Sequence, residues 1–356
     1  MENEVSNPTI AIRDGEALDL DSLQAYLTSQ LPGLVGKPTA QQFPGGRSNL
    51  TYRLQFENRS FVLRRPPFGT KARSAHDMRR EYTVMRGIGM KSDRVPKVLL
   101  HCADENVIGA EFFLMEEVDG FLVRREFPAE WGWGRDECQR FCRSFWEAMI
   151  EIHALDYSSL ELGDYARPEG YVRRQIEGWN RRYERARTPN SPAAHRVMEW
   201  LEQNIPEDGE ATLLHNDYRI DNLILKPNDP FCVAAVIDWE MAAVGNPLMD
   251  LGNSLAYWVE ANDDADAIAG SSQPSFLPGM LSRRDVVDLY AEKTGRDVGR
   301  IEVYYLAGLF RLAAIIQQIY YRYHHGQTSD RRFAGWDSEV RRLIARCEAI
   351  LDGASW

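Results

Sequence analysis

The sequence predicts an α+β fold in which a small antiparallel sheet lobe with one helix precedes a larger, mostly helical lobe. Up to about Gly120, short apolar runs alternate with Gly, Pro and Asn, which is typical of short strands and turns. After Gly120, apolar residues recur with the 3.6-residue period of helices over most of the chain. A length of 356 residues also suits two lobes with separate cores.

The chain begins with a polar segment and a short helix. Residues 1–17 are acidic and contain no apolar stretch, so we expect a flexible tail and not a secretory signal. The segment from Leu20 to Leu31 has amphipathic helical spacing, and Asp19 is placed to cap the helix. We assign the sheet lobe to residues 18–117.

Five strands and one further helix are predicted in the sheet lobe. Residues 41–56 contain two strands on either side of Gly45 and Gly46, and the third strand is ended by Pro66 and Pro67. A helix and two more strands follow. We expect the third strand, the helix and the last two strands at residues 59–66, 74–88, 95–102 and 111–118.

The helical lobe, residues 118–356, follows a joint with the sequence EEVDG, Glu116 to Gly120. Two short strands interrupt it, near residues 223–225 and 233–237. Strongly periodic helical segments are predicted at residues 135–155, 171–186, 193–204, 282–294, 300–323 and 331–351.

Composition argues against several classes of protein. A net charge of -11 disfavours nonspecific binding to nucleic acid. The sequence contains no run of about 18 apolar residues, so no membrane span is predicted. The five cysteines form no CxxC pair and are expected to be reduced thiols, as in a cytoplasmic protein.

Polar residues are concentrated in HNDYRIDN, His215 to Asn222, between two apolar runs. Asp217 and Asn222 lie at the two ends of this loop, and Asp238 follows an apolar strand. Three such oxygen-bearing side chains suit Mg²⁺, which also keeps waters and substrate phosphates in its shell. Phosphoryl transfer needs this metal and a carboxylate that accepts the hydroxyl proton. The alternative is a simple polar turn, since Asn and Asp favour turns, but a turn does not account for Asp238.

A Gly-Gly pair lies between the first two strands. Gly45 and Gly46 allow main-chain N–H groups to approach a phosphate, and Ser48 and Asn49 can add hydrogen bonds. A hairpin turn would use the same residues, and the P-loop pattern GxxxxGK[ST] does not occur. By itself the Gly-Gly pair is weak evidence for a nucleotide site. It gains value because it lies at the start of a series of five strands that ends at the joint.

The spacing His-x-Asp-x-x-x-x-Asn matches the catalytic loop of protein kinases. With IDWE downstream in place of DFG, the chain resembles the aminoglycoside phosphotransferase family of small-molecule kinases, from about Gln41 to Arg322. The stretches LRRPPFG, SAHDMRREY and NPLMDLG resemble the branch that contains bacterial phosphotransferases and the kinase-like domains fused to acyl-CoA dehydrogenases. The resemblance implies a protein-kinase-like two-lobe fold, ATP and Mg²⁺ as cofactors, and a hydroxyl group of a small molecule as the acceptor.

The resemblance also implies roles in the helical lobe. Asp217 would be the catalytic base or would position the acceptor hydroxyl. Asn222 and Asp238 would bind Mg²⁺. His215 would brace the loop through hydrogen bonds, and Asp250 would support the loop from a following helix without a catalytic role.

In the sheet lobe, the third strand resembles the VAIK strand of kinases, so Val62 would line the adenine slot. Arg64 would contact the α- and β-phosphates from the position where the family usually has Lys. Glu81, on the helix, would be its ion-pair partner. Arg and Lys are not interchangeable, so two alternatives remain: Arg65 through a register shift, or a weakened site. We favour Arg64 as the phosphate anchor.

The last strand of the sheet lobe would hold the purine. Met115 falls at the gatekeeper position of kinases, and the main chain from Glu116 to Val118 would hydrogen-bond the purine edge. Main-chain contacts of this kind depend little on the side chain.

The acceptor is left open by two opposite charge features. The acidic run EANDDAD, Glu260 to Asp266, could receive a cationic aminosugar or amino alcohol, as in the antibiotic kinases of the family. The segment from Tyr171 to Arg187 carries six Arg and two Glu and could hold an anion such as the phosphates of a hydroxyacyl-CoA. Either could equally be a solvated surface.

Two other classes of protein compete with a kinase. A nucleotide-binding pseudokinase that acts as a scaffold is suggested by Arg64, although pseudokinases commonly lack one of Asp217, Asn222 and Asp238. A metallohydrolase using His215 and Asp217 is poorly supported, because no second His lies near a matching carboxylate cluster in the sequence.

Overall fold

A five-stranded antiparallel sheet organises the first part of the chain, and helices dominate the rest. The computed structural model describes residues 7–44, 49–68 and 77–356. In chain order the elements are α1 (Leu20–Gln30), β1 (Thr39–Gln42), β2 (Leu50–Gln55), β3 (Ser60–Arg65), α2 (Met78–Gly89), β4 (Val98–Cys102), β5 (Phe112–Glu116), β6 (Phe121–Leu122), α3 (Arg135–His153), α4 (Tyr171–Arg185), α5 (His195–Gln203), β7 (Thr212–Leu214), β8 (Leu223–Lys226), β9 (Asp229–Val236), β10 (Ala243–Gly245), α6 (Pro247–Tyr257), α7 (Ala265–Gly270), α8 (Arg283–Thr294), α9 (Ile301–His324) and α10 (Trp336–Leu351).

The chain groups into two compact units. The first comprises the described residues of Met1–Val123 together with Asp156–Tyr165 and Ile220–Ala242. The second comprises Arg124–Leu155, Ala166–Arg219 and Ala243–Trp356.

In the first unit the sheet has the strand order β1-β2-β3-β5-β4. Side chains alternate along β3, so Phe61 and Leu63 point to one face and Val62 and Arg64 to the other. The Phe61 face packs against α1 in a core that includes Leu23 and Leu27. The opposite face carries α2, which contacts β4 and β5. Arg64 therefore lies on the helix α2 side of the sheet.

The N-terminal region confirms the predicted first helix. Asp19 Oδ1 accepts hydrogen bonds from the main-chain N–H groups of Asp21 and Ser22, at 3.1 and 3.0 Å, as an N-cap does. Of the predicted tail, residues 1–6 lie outside the described residues. The part that is described is attached to the sheet, since Ile10 exchanges two main-chain hydrogen bonds with Gln42.

The first unit also contains a β-hairpin from late in the chain, β8 with β9, to which β6 adds a third strand. Leu223 pairs with Val236, which places Asn222 and Ile237 side by side at the open end of the hairpin. Gly120 has a φ of 155° and lies against the carbonyl of Leu225 so closely that a Cβ atom would collide with it. The predicted joint therefore requires glycine at this position.

Helices α6 and α9 form the centre of the second unit. They approach closely at two glycines: a Cβ on Gly308 would collide with the main chain of Gly252, and one on Gly252 with the main chain of Tyr304. Asn246 caps the start of α6 by accepting from Leu248 N–H at 2.9 Å. This packing fixes the turn of α6 that carries Asp250. Within the described ranges, the helices are all too short or too polar to span a membrane.

Candidate functional site

Arg64 in the first unit is surrounded by three carboxylates. Its Nη2 lies 2.8 Å from Asp238 Oδ1 and 3.6 Å from Glu240 Oε2, and its Nε lies 3.3 Å from Glu81 Oε2. The side chain is only 9% exposed. Burial alone would lower the pKa of the Arg64 guanidinium, but the charges of Glu81, Asp238 and Glu240 raise it. Arg64 is therefore a fixed cation in this cluster.

Glu81 projects from the first turn of α2 and is fully buried. The expected ion pair with Arg64 is present. Burial raises the pKa of Glu81, Arg64 opposes this rise, and Asp238 and Glu240 add to it. Because one guanidinium faces three acids, Asp238 and Glu240 leave an excess of negative charge in the cluster even when Glu81 is protonated.

Asp238 directly follows the hairpin and the residue Ile237. Its φ of 68° lies in the left-handed region, which is unfavourable for a non-glycine residue. The conformation is held on both sides: Ile237 N–H donates to the Asn222 carbonyl at 2.9 Å, and Trp239 Nε1 donates to the Val236 carbonyl at 2.9 Å. The backbone turn directs the Asp238 carboxylate away from the strand path and toward Arg64.

The residues near Asp238 fit a magnesium ion by their chemistry. Mg²⁺ in nucleotide sites is usually bound through one or two carboxylates and the substrate phosphates, so it does not need a dense acidic cluster. Within the described ranges, no group of three or more His, Cys, Asp or Glu residues has the arrangement of a self-sufficient metal site. Asp238 and the amide of Asn222, at the same end of the hairpin, supply the oxygen donors expected for a metal shared with phosphates.

Glu240 and Asn49 belong to the same cluster, although no role for Glu240 is predicted from the sequence. Asn49 Nδ2 donates to Glu240 Oε2 at 2.7 Å, which links the residue before β2 to the segment after Asp238. The only signal in the sequence was the position of Glu240, two residues after Asp238.

Arg65 does not point to this cluster. It lies on the opposite face of β3, where its Nε and Nη1 donate to the carbonyls of Pro66 and Ile108 at 3.1 and 2.9 Å. Its guanidinium also stacks on Phe68, 3.7 Å from the ring centroid. The register-shift alternative therefore has no support from the geometry of Arg65.

The predicted purine-binding residues lie along β3 and β5. Val62 is paired with Met115, and both side chains are buried on the Arg64 face of the sheet. Glu116 N–H donates to the Lys97 carbonyl at 2.9 Å, so this donor is already used within the protein. Val118 lies just beyond β5 and is half-buried. Gly45, Gly46 and Ser48, predicted to contact phosphates, lie outside the described residues.

In the second unit the loop after β7 is held by Asp250. The main-chain N–H groups of His215 and Asn216 donate to the two carboxylate oxygens of Asp250, at 2.6 and 2.8 Å. His215 Nδ1 accepts from the Asp217 N–H at 3.2 Å. His215 and Asp250 are thus in contact with the loop in the manner expected of bracing residues.

Asp250 is itself held by His153, for which no role is predicted from the sequence. His153 Nε2 lies 3.2 Å from Asp250 Oδ2, and its Nδ1 lies 2.9 Å from the Tyr290 hydroxyl. Burial alone would raise the pKa of Asp250, but the hydrogen bond from His153, the charges of His153 and His215, and the His215 N–H lower it. His153 sits in an apolar helical pattern, which gave no reason to separate it from other core residues.

Asp217 is partly exposed, with 21% of its side chain accessible. Its Oδ1 lies 3.5 Å from Arg219 Nε, and Arg219 in turn lies over the Tyr257 ring at 4.9 Å. Asp217 belongs to the second unit and Asn222, five residues later, to the first. The loop therefore offers a carboxylate that solvent or a substrate can reach.

Asn216 has a left-handed φ of 63° and is held by a buried arginine. Arg311 Nη2, from α9, donates to the Asn216 carbonyl at 2.8 Å. The Asn216 side-chain carbonyl accepts from the Tyr171 hydroxyl at 2.9 Å and from Asn253 Nδ2 at 3.3 Å. These contacts fix the residue that precedes Asp217.

The two charge features have different surroundings. In the acidic run, Glu260 and Asp263 are both engaged by Arg283, through its main-chain N–H and its guanidinium, and Asp264 caps α7. In the Arg-rich segment, which forms α4, the exposed Arg173 and Arg181 pair with Glu177.

Comparisons with known proteins agree with this picture. Residues 39–285, more than half of the chain, match the model of the phosphotransferase enzyme family, and the chain belongs to this family. Acyl-CoA dehydrogenase family member 11 of Mus musculus is 32% identical over 337 residues, covering 92% of this chain and 43% of that protein. The chain thus spans less than half the length of this relative.

Solved structures share the fold. A Ralstonia eutropha protein named as an aminoglycoside phosphotransferase has a TM-score of 0.79 and 29% identity, covering 96% of this chain and 100% of that one. The aminoglycoside phosphotransferase APH(4)-Ia, in a ternary complex with ADP and hygromycin B, has a TM-score of 0.58 at 17% identity, covering 94% and 100%. At that identity the second structure shows the fold alone. The predicted family and the predicted two-lobe α+β, kinase-like fold are confirmed.

Proposed function

We propose that this protein is an ATP- and Mg²⁺-dependent phosphotransferase that transfers the γ-phosphoryl group to a hydroxyl group of a small molecule. The observation that carries the proposal is the loop pinned by Asp250, which presents the partly exposed carboxylate of Asp217 in a member of the phosphotransferase family. A rigid, accessible carboxylate on such a loop is suited to receive a proton from an attacking hydroxyl.

The acceptor oxygen forms a bond to the γ-phosphorus, and the bond between that phosphorus and the β,γ-bridging oxygen breaks to give ADP. The hydroxyl proton passes to the Asp217 carboxylate and then to solvent. His215 Nδ1 accepts a hydrogen bond from the Asp217 main-chain N–H at 3.2 Å, which keeps the loop in the conformation that presents the carboxylate.

Asn222 and Asp238 would hold the magnesium ion, with Glu240 close by. When bound, Mg²⁺ neutralises charge on the phosphates of the nucleotide. The negative excess around Arg64 is consistent with a site that binds a divalent cation. The APH(4)-Ia complex contains ADP, and we extend nucleotide use from that protein to this chain.

Arg64 would contact the nucleotide phosphates in place of the lysine usual in the family. Its planar fork has five N–H donors, of which those on Nη2 now face Asp238 and Glu240. Glu81 keeps the side chain in place through Nε, so its position does not depend on the Asp238 contact. Val62 and Met115, buried on the same face of the sheet, would line the adenine slot.

A second candidate, a nucleotide-binding scaffold without turnover, is favoured by one observation. The 2.8 Å hydrogen bond from Arg64 occupies an oxygen of Asp238, the carboxylate assigned to the metal. If that contact persisted in the presence of nucleotide, the metal would be bound weakly and transfer would be slow.

The experiment that separates the two candidates has two parts. First, the melting temperature of the protein is measured with ATP alone, with ATP and Mg²⁺, and with neither. Second, ADP release is measured across aminoglycosides, amino alcohols and hydroxyacyl-CoAs. The phosphotransferase assignment predicts a Mg²⁺-dependent rise and acceptor-dependent ADP release. A rise without ADP release from any acceptor supports the scaffold, and the absence of both rejects nucleotide binding.

A further inference from the structure

A chain of polar contacts leads from the Asp250 carboxylate to the surface of the second unit. Beyond Asp250, the Tyr290 hydroxyl lies 2.9 Å from His153 Nδ1 and accepts a hydrogen bond from Arg296 Nη1 at 3.3 Å. Arg296 Nε lies 3.3 Å from Glu210 Oε2, and the Glu210 side chain is 72% exposed. These side chains therefore connect solvent with the carboxylate that holds the loop after β7.

The inner part of this chain is buried. Tyr290 and His153 are each 1% exposed. Burial raises the pKa of the Tyr290 hydroxyl to about 12, although the charge and the hydrogen bond of Arg296 oppose this rise. The hydroxyl thus keeps its proton at neutral pH. Because a buried polar atom that loses its partner costs free energy, removal of the hydroxyl would weaken the hold on the His153 ring.

The end of α8 directs Arg296 toward this chain. Gly295 ends the helix with a left-handed φ of 69°. The Thr294 hydroxyl accepts a hydrogen bond from the Arg296 N–H at 3.2 Å and donates one to the Tyr290 carbonyl at 2.7 Å. Arg296 Nη2 donates to the carbonyl of His153, the last residue of α3, at 3.4 Å. Arg296 therefore joins the ends of α3 and α8 to the polar chain.

At its other end the chain acts on the main chain of the catalytic loop. Asp250 Oδ2 accepts from the His215 N–H at 2.6 Å and lies 3.2 Å from His153 Nε2, so the ring and the loop share one oxygen. Asp250 Oδ1 accepts from the N–H of Asn216, the residue before Asp217, at 2.8 Å. A displacement of the His153 ring would therefore disturb the acceptor that fixes the loop.

We propose that Tyr290 and Arg296 are positioning residues for phosphoryl transfer. They act through His153 and Asp250 on the loop that presents Asp217. This inference rests on the proposed function and adds two residues to it that lie away from the reacting atoms. The alternative is that their contacts only stabilise the packing of α3 against α8. The two accounts differ in whether the loop itself becomes less ordered when the contacts are removed.

Hydrogen exchange of the loop tests the proposal without turnover. In Tyr290→Phe we expect the amides of His215 and Asn216 to exchange about tenfold faster than in the wild type, while residues 304–314 of α9 exchange at the wild-type rate. Arg296→Met should also accelerate exchange of the loop, and Arg296→Lys less so, because it keeps the positive charge. Mass spectrometry of peptides from the full chain measures these rates. Unchanged loop exchange in both Tyr290→Phe and Arg296→Met would overturn the proposal.

Two control variants separate loop positioning from general stability. Tyr183→Phe removes another buried hydroxyl, which donates to the Pro192 carbonyl at 2.8 Å. Arg300→Met removes an exposed arginine that donates to the Asn204 carbonyl at 3.0 Å. Both controls should leave loop exchange and kcat at the wild-type values. Equal acceleration of loop exchange in Tyr183→Phe and Tyr290→Phe would show that the loop responds to any loss of stability, and the proposal would fail.

Turnover distinguishes the failure of this inference from the failure of the proposed function. With the acceptor that gives the fastest ADP release, kcat should fall about tenfold in Tyr290→Phe, while the KM for Mg²⁺–ATP stays within about twofold of wild type. Faster loop exchange with an unchanged kcat would reject the positioning role and leave the phosphotransferase intact. If the wild type forms ADP with no acceptor, phosphoryl transfer is rejected, and the exchange rates alone decide whether Tyr290 and Arg296 hold the loop.

Discussion

Arg64 and Asp238 form a 2.8 Å charge-assisted hydrogen bond inside the first unit, although they are 174 residues apart in the chain. The bond joins the sheet face that carries Val62 to the left-handed turn after the β8–β9 hairpin. Glu81 holds the other side of the same guanidinium. The residue proposed to bind phosphate and the residue proposed to bind metal are therefore electrostatically coupled before any ligand is present.

Replacement of Asp238 by Asn tests its assignment to the metal. The amide keeps a hydrogen bond to Arg64 but loses the charge that attracts Mg²⁺, so we expect the affinity for Mg²⁺–ATP to fall about tenfold or more. With EDTA present, the affinity for ATP should be equal to the wild-type value or tighter, because one negative charge has been removed near the phosphates. Calorimetric titration measures both affinities, for Mg²⁺–ATP and for ATP in the presence of EDTA. Asp93→Asn, an exposed acid of the same unit, is the control, and equal Mg²⁺–ATP affinity in Asp238→Asn would remove Asp238 from the metal site.

Removal of Arg64 tests the cluster as a structural element. Arg64→Met leaves Glu81 buried without its cation, so we expect a loss of about 3 kcal/mol in stability. Arg64→Lys should lose less stability than Arg64→Met, because it keeps the positive charge. It should still be less stable than the wild type, because a lysine cannot contact several carboxylates at once. Urea unfolding at pH 7 ranks the variants by their free energy of unfolding.

The control for this series is Arg86→Met, which removes an exposed ion pair with Glu161 and should cost less than about 1 kcal/mol. The double variant Arg64→Met with Glu81→Gln should regain much of the loss of Arg64→Met. A single variant Arg64→Met as stable as Arg86→Met would show that the cluster does not stabilise the fold.

Asp250 should make the protein sensitive to acid. Its pKa in the folded protein lies below the ordinary 3.8, so its contribution to stability is complete above that pH. As the pH falls below 3.8, Asp250 takes up a proton in the unfolded chain before it does so in the folded protein. Its contribution to the free energy of unfolding is then lost. Asp250→Asn should therefore lower stability at pH 7 and flatten the decline below about pH 4.

The measurement is a series of urea midpoints from pH 3 to pH 7. Asp288→Asn, an exposed aspartate on α8, serves as the matched control and should follow the wild-type curve. Because Asp250 only positions the loop, its variant should lose kcat while its affinity for ATP changes little. A pH profile with the wild-type slope would contradict the role assigned to the His153–Asp250 contact.

The hydrophobic pattern was sufficient to predict most elements of the fold. Helices α1, α3, α4, α5, α8 and α9 lie within a few residues of their predicted limits, because apolar residues recur at helical spacing along each of them. The strands β6 and β10, of two and three residues, are too short for any period to be visible. Helix α7, of six residues, was missed for the same reason.

The candidate site was predicted where the chemistry is local in sequence and missed where it depends on packing. Asp217, Asn222 and Asp238 follow from spacing and strand ends. Arg311 and His153 do not, because each is a polar residue at a buried helix position and meets its partner only after the helices pack. No pattern along α9 could indicate that Arg311 would hold the carbonyl before Asp217.

Phosphoryl transfer through Asp217 is tested most directly by the variant Asp217→Asn, studied with the acceptor that gives the fastest ADP release. We expect kcat to fall by about 10²–10⁴-fold, as for the loss of a general base, while the affinity for Mg²⁺–ATP stays within about twofold of wild type. Turnover by Asp217→Asn at the wild-type rate would contradict the role proposed for this carboxylate.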